Sequence, residues 1–452
     1  MNYSDIEKQV LGKITPDRKY REKLSQIIED LRSKIEKEIQ KRKLPVNIEL
    51  VGSMAKDTFL KDNLDIDFFL CFPTTYSKKD IAKNTLEIGR ILLTDAEESY
   101  AEHPYLRGMF RGYKVEIVPC YQIEKASQKL SAVDRTPLHT KYVKENLKES
   151  QKPDVRLFKQ FLKGIGCYGA EAEVQGFSGY LCEILVIKYG SFEKLIKNAQ
   201  NWKVGEKLAL KDDTYQSFDT PLTFIDPIDS ERNVASALSK DKFDLFVKAC
   251  KEYQKNPSIK FFFPNPIKPW PLDKIKKEIQ NQKMYFVGFR FPKPDIIDEN
   301  LYPQIRKTVR SVWESCKRYN FNIYDATFHL DEKTVFIIIK TDKKPLSKTM
   351  VHLGPPIKLE KNSKEFLNKW KNDDRVVKGP YQKDGRYCVE IKREYTNIKD
   401  FLSSEFKKFS MGKDIEKNVK TNYEILDLED LLIEELRIFW TPYLDGKMSW
   451  ER

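Results

Sequence analysis

Histidine is scarce in this sequence, with four residues in 452. That count argues against a His-rich metal centre. Cysteine is limited to seven, at positions 71, 120, 167, 182, 250, 316 and 388, and no two form a C-x-x-C pair. Neither a disulfide framework nor a cysteine zinc site is expected; the thiols should be reduced and mostly buried, as in a cytoplasmic protein. No apolar run approaches the length that crosses a bilayer, so no membrane partner is expected. The opening residues, MNYSDIEKQVLGKI, are charged throughout and do not read as a signal peptide. Internal repeats and low-complexity tracts are also missing.

What is present is a chain long enough for two to four domains. Its 40% apolar and 12% aromatic residues can build real cores. Lys and Arg number 81 against 68 Asp and Glu, a formal net charge of +13, which favours a polyanionic partner only modestly. Leu24, Ile27, Ile28, Leu31, Ile35 and Ile39 recur at helical steps and predict one long amphipathic helix over 17–43. Strands are expected at NIELV (47–51) and LDIDFFLCF (64–72), with a short helical stretch, MAKDTFL, between them. A helix follows over 79–99, then a hairpin over 105–119 ending in YKVEIVP.

Helical spacing dominates from 155 to 254, including 231–254. The proline-rich FFFPNPIKPWP (261–271) reads as a semi-rigid connector. Beyond it, strand 284–291, helix 301–319, strands 322–330 and 334–341, a helix near 363–372 and strand 387–393 give the order β-α-β-β-α-β. That is the ferredoxin-like split unit that RNA-recognition sheets also use. Helices are expected at 397–410 and 424–439. The fold class is multidomain α+β: a catalytic head (1–150), a helical neck (151–260), a ferredoxin-like body (261–395) and an α-rich tail (396–452).

The informative chemistry lies in Gly52-Ser53-Met54-Ala55-Lys56 followed by Asp65-Ile66-Asp67. A strand has period two, so Asp65 and Asp67 point to one face and Leu64, Ile66 and Phe68 to the other. Paired carboxylates repel unless a cation sits between them. Mg²⁺ suits such a pair, because it takes a few hard oxygen ligands and fills its remaining positions with water and phosphate. Glu116, on the later strand KVEIV, would bring a third carboxylate if the two strands are neighbours. Such a cluster can hold two Mg²⁺ ions about 3.5–4 Å apart for in-line displacement at phosphorus. Gly52 and Ser53 can offer backbone and hydroxyl donors to phosphate, and Lys56 a charge one turn on. A lone D-x-D is more often a solvated edge, and Gly-Ser before a helix is ordinary turn chemistry. The ordered combination is what points to phosphoryl chemistry.

That combination resembles the polymerase-β-like nucleotidyltransferase superfamily. More specifically, the chain resembles the archaeal, class I CCA-adding enzymes. The likeness runs through nearly the whole chain and is sharpest in GSMAKDTFLKDNLDIDFFL, YAEHPY, VEIVPCY, SAVDRTPLH, YGAEAEVQGFSGYLCE, DPIDSERNVASALS and FRFPKPDIIDENLYPQ. It implies template-independent addition of C, C and A to tRNA from CTP and ATP. Asp65, Asp67 and Glu116 match the family's metal-binding carboxylates; the third is commonly Asp there, so Glu116 is one methylene longer. Ser53 and Lys56 match triphosphate contacts, with Lys56 standing where Arg is frequent. His139, Lys159 and Tyr168 match nucleotide contacts, and Arg232 a residue near the incoming base.

Taken alone, His139 reads as a loop residue, Lys159 as a solvated helix charge, Tyr168 as core packing, and Arg232 as a partner of Asp226 or Asp229. The resemblance further implies that residues 284–440 grip the acceptor and T arms of tRNA. It leaves a homodimer open. The Lys-rich stretch 392–420 is the candidate for phosphate contact. Two rival readings are a poly(A) polymerase or oligoadenylate-making enzyme of the same superfamily, and a non-catalytic RNA-binding protein on the same scaffold.

Overall fold

Ser4 caps helix α1 (Asp5–Ile14) in a capping box with Glu7, and Asp17 caps α2 (Arg18–Lys41), the long helix its spacing predicts. The structure, a computed structural model, describes residues 4–62, 64–100, 103–211, 216 and 218–452. Asn63 and the Ala101-Glu102 pair of YAEHPY lie outside the described residues.

After α2 come β1 (Asn47–Leu50), the single turn α3 (Gly52–Ala55), β2 (Asp65–Phe72), α4 (Lys78–Leu92), β3 (Thr94–Tyr100), β4 (Pro104–Phe110) and β5 (Tyr113–Tyr121). The strands form a mixed sheet in the order β1-β2-β5-β4-β3, with β2 and β5 parallel and the other pairings antiparallel. One face packs Ile66, Phe68 and Leu70 of β2 and Val115 and Ile117 of β5 under α2 and α4. The other face is polar only at the starts of β2 and β5; further along, Phe69, Cys71, Val118 and Cys120 pack with Val51 and Tyr105. The helix expected over 79–99 ends at Leu92, and 94–100 pairs as a strand with β4.

The helical region comprises α5 (Arg135–Asn146), α6 (Lys152–Gly164), α7 (Gly179–Tyr189), α8 (Phe192–Ala199) and α9 (Lys240–Lys255). Between α8 and α9 lie three short strands that the sequence reading missed: β6 (Glu206–Leu208), β7 (Leu222–Asp226) and β8 (Asp229–Asn233). The helix expected over 231–254 therefore starts only at Lys240, where Ser239 caps it. Val10 and Ile14 of α1 and Val143 of α5 lie in the helical core. Phe161 is its centre, 5.5–5.9 Å from the rings of Phe192, Tyr253, Phe261 and Phe262. Phe261 and Phe262, expected in the connector, are thus core residues.

Two compact units result, residues 1–266 with 448–452, and residues 267–447. The sheet and the helical region share the first.

The second unit holds α10 (Leu272–Asn281), β9 (Tyr285–Pro292), α11 (Asp298–Arg318), β10 (Ile323–Leu330), β11 (Thr334–Thr341), β12 (Thr349–Pro356), α12 (Glu360–Trp370), β13 (Val376–Lys383), β14 (Arg386–Lys392), α13 (Ile398–Glu405), α14 (Lys413–Thr421), β15 (Glu424–Leu426), α15 (Leu428–Leu431) and α16 (Arg437–Asp445). Its main sheet, β10-β11-β9-β15, is antiparallel and has the ferredoxin-like order. The last two elements of the split unit differ from expectation. Helix α12 and strand β14 belong to a separate sheet, β12-β14-β13, and β15 takes the fourth place in the main sheet. The helix expected over 424–439 is correspondingly broken into β15, α15 and α16.

One face of the main sheet is buried under α11, α13 and α14. The other buries Phe286, Phe336 and Ile338 against Ile275, Ile279 and Trp440. That second face cannot stack bases as an open RNA-recognition sheet does. All seven cysteines are free and buried. Among the described residues no helix is long and apolar enough to cross a membrane.

Replacing Phe161 with Ala should empty the middle of the ring cluster and destabilise the first unit by about 3–5 kcal/mol. Urea unfolding measures it, and a loss below about 1 kcal/mol would contradict this packing.

Candidate active site

The sheet face opposite α2 and α4 carries the predicted carboxylates at the starts of β2 and β5. Asp65 and Asp67 alternate with buried Ile66 and Phe68. Parallel pairing of β2 with β5 sets Asp67 directly opposite Glu116, so the three acids share one face. Burial, with repulsion from Glu116 and Asp65, pushes Asp67 up to about 7. Burial, with Asp65 nearby, also raises Glu116, against the pull of Arg107. Arg107 of β4 pairs with Glu116 at 2.5 Å and stacks over Tyr105. Sequence reasoning missed it; its only signal was a cation in the hairpin arm opposite an acid.

Among the described residues no three His, Cys, Asp or Glu side chains are already drawn together as a metal-ligand set. The donor chemistry nevertheless fits a hard divalent cation: three carboxylates on one face, whose mutual repulsion a cation would relieve. Glu116 would have to share itself with Arg107 or leave it.

Gly52 adopts φ +70, and a Cβ there would collide with the Asp67 carboxylate. Only glycine lets this turn lie against the acid. Ser53 is half-buried in the same turn. Lys56 lies just after α3 and turns inward, so that it is buried and 2.5 Å from Glu183 of α7. Glu183 is fully buried; it also accepts from Thr58 Oγ1 at 2.6 Å and faces Lys159 Nζ of α6 at 3.3 Å. Lys159 is therefore a buried, paired ammonium and not a solvated helix charge. Tyr168 is half-buried, and burial raises its hydroxyl above the ordinary range. Glu183 escaped the sequence reading because it sits in the apolar run GYLCEILVIKYG. A single acid among core residues was the available signal.

A second network centres on Asp226, at the end of β7. Its carboxylate accepts from His139 Nε2 at 2.7 Å, Arg232 Nη1 at 2.9 Å and Tyr180 Oη at 3.1 Å. The His139 and Tyr180 rings lie 4.0 Å apart. His139 stands in the second turn of α5, not in a loop. Burial lowers its pKa against the opposing Asp226, while hydrogen bonds hold Asp226 below the ordinary carboxylate range. An ionised carboxylate only accepts, so His139 Nε2 carries the proton and a neutral ring leaves Nδ1 as an acceptor. Arg232 does pair with Asp226; Asp229 is instead held by Lys129 and Arg135.

The three groups are coupled electrostatically: Lys56 lowers the pKa of both Asp67 and His139, and Asp65 raises that of Tyr168. A cleft lined by Glu49, Tyr121, Lys141 and Lys144 opens nearby but does not include the carboxylates.

The family model described as a nucleotidyltransferase domain matches residues 32–139, that of the second domain of tRNA nucleotidyltransferase matches 153–263, and that of the C-terminal domain of CCA-adding enzyme matches 282–427. The chain is 35% identical over 427 residues to the CCA-adding enzyme of Methanosarcina acetivorans, covering 94% of each chain. It is 37% identical to that of Methanosarcina barkeri with the same coverage, and 34% identical to that of Archaeoglobus fulgidus over 96% of this chain and 97% of that one. Nucleotidyltransferases of this kind generally use divalent metal ions. The chain belongs to the archaeal-type, class I CCA-adding enzymes of the polymerase-β-like nucleotidyltransferase superfamily.

Proposed function

We propose that this enzyme adds C, C and A to the 3′ end of immature or damaged tRNA in the cytoplasm, using CTP and ATP and releasing pyrophosphate. The observation that carries this reading is the alignment of Asp65, Asp67 and Glu116 on paired strands β2 and β5, beside two buried lysines. Asp65, Asp67 and Glu116 would hold two Mg²⁺ ions. Bound there, the ions would activate the ribose 3′-hydroxyl and neutralise the leaving pyrophosphate.

The chain's own groups have separable tasks. Gly52 lets backbone lie close to the reacting phosphate, and Ser53 adds a hydroxyl donor. Lys56 and Lys159 place two ammonium groups against one Glu183 carboxylate, leaving a surplus positive charge for a triphosphate. Tyr168 stands beside them as a further nucleotide contact. Asp226 fixes the Arg232 fork and the His139 ring, and a rigid fork is what reading a base edge requires. Each such contact is worth about 1–3 kcal/mol.

Residues 284–440 would hold the acceptor and T arms. Of the seven lysines between 392 and 420, three (Lys399, Lys408 and Lys420) are paired with acids. Exposed Lys392, Lys407, Lys413 and Lys417 are the better candidates for phosphate contact.

On tRNA ending before CCA, CTP alone should add two C residues and then stop, read by sequencing the product ends; homopolymer growth with ATP alone would favour a poly(A) polymerase. Asp67→Ala should lose at least about 10³-fold in addition while tRNA binding persists, because it removes a metal ligand; near-normal turnover would end the two-metal reading. A third outcome concerns pH. The folded value of Asp67 lies above the ordinary 3.8, so metal-free stability from this group falls as pH rises from 3.8 to about 7. In EDTA at pH 8, Asp67→Asn should therefore be more stable than the parent, by about 4 kcal/mol at most. Added Mg²⁺ should raise the parent's melting temperature more than the variant's. A variant less stable than the parent in EDTA would contradict the repulsion.

A further inference from the structure

We propose that Glu183 is the positioning residue of the nucleotide site, its one buried carboxylate holding Lys56 from the sheet side and Lys159 from the helical side in charged, fixed orientations. The proposal rests on the reading of this site as a triphosphate site.

The geometry is specific. Glu183 Oε2 takes Lys56 Nζ at 2.5 Å, and Oε1 takes Thr58 Oγ1 at 2.6 Å and Lys159 Nζ at 3.3 Å. The carboxylate is 0% exposed, and the two lysines 8% and 2%. Lys159 also donates to Thr58 Oγ1 at 3.1 Å and to its carbonyl at 3.2 Å, so its three N–H groups are all engaged. Among the described residues Lys56 makes one such bond, which leaves its other N–H groups for an anion. Thr58 ties the same carboxylate to the loop that leads into β2. One side chain thus couples the metal strand, the Gly-Ser turn and the neck helices.

The charges explain why an acid is needed here. The fully buried Lys159 ammonium is driven towards the neutral form by desolvation and by the neighbouring charge of Lys56. Glu183 opposes both effects, and the lysines in turn hold its carboxyl below the ordinary range despite burial. The formal net charge of the trio is +1, which suits a polyanion. Asp67 and His139 also face Lys56. Cys182 and Tyr168 face Lys159. Burial keeps that thiol and that phenol protonated. Asp67 and His139 are present in the parent and in every variant, so the double variant, which lacks only Glu183 and Lys159, controls for their titration.

The test measures binding of inorganic tripolyphosphate by calorimetry between pH 6 and 9, together with kcat and KM for CTP on truncated tRNA. Glu183→Gln keeps the shape and removes the charge. Relative to the parent, its tripolyphosphate affinity should be within about threefold at pH 6 and weaken at least about tenfold by pH 9, as an ammonium loses its proton. KM for CTP should follow, with kcat changing less. Glu183→Asp should restore most of the parent behaviour. The double variant Glu183→Gln/Lys159→Met, which rebalances the charge, should bind tripolyphosphate with a parent-like pH dependence, and it carries the test if the single variant does not fold. A Gln variant that tracks the parent across the whole pH range would overturn the proposal, as would a double variant as pH-sensitive as the single one. A parent protein that binds tripolyphosphate with the expected variant pattern but never extends tRNA would overturn the substrate reading and leave the role of Glu183 standing.

Discussion

Three carboxylates held on one face of a sheet cannot all ionise comfortably unless positive charge comes between them. The rest of the catalytic region follows from that constraint. The parallel pairing of β2 with β5 brings Asp67 opposite Glu116, and period-two alternation puts Asp65 beside them. The opposite face, packed under α2 and α4, fixes the strands so that the acids cannot relax away from one another. Without a metal, the tension appears as an Asp67 carboxyl that keeps its proton to about pH 7 and a Glu116 carboxyl that takes an Arg107 guanidinium.

The second electrostatic element has the reverse sign. Lys56, Lys159 and Glu183 make a buried trio with one positive charge in surplus. In the proposed reading, a nucleoside triphosphate with its metal ions would complement the two halves together, its phosphates meeting the lysines and its cations the acids. In the same reading, recognition of the base falls to Arg232 and His139, which share the Asp226 anchor. Such a separation would allow one catalytic centre to serve both CTP and ATP.

Much of this was legible in the sequence because it is local. D-h-D alternation, a Gly-Ser turn before it and an acid flanked by Val115 and Ile117 each follow from the period of a strand. What was hidden is non-local. Glu183 lies 127 residues from Lys56, in a helix whose other positions read as core. Asp226 was named only as a partner for Arg232, yet it also holds His139 from 87 residues away. Strands β6 to β8 were missed because they are three to five residues long and carry no alternation. In the second unit, ferredoxin-like order was read correctly. Its fourth strand was misplaced because the better strand pattern, YCVEIKR, belongs to the inserted sheet, whereas β15 has only three residues.

The central claim is that Asp65, Asp67 and Glu116 close around two cations. A crystal of the enzyme with Mn²⁺ and a non-hydrolysable CTP analogue tests it directly, because Mn²⁺ is located by its anomalous scattering. The account predicts two peaks about 3.5–4 Å apart, both touching Asp65 and Asp67, with Glu116 on the one nearer the primer side. A single peak remote from β2, or Glu116 still held by Arg107 with both peaks elsewhere, would contradict it.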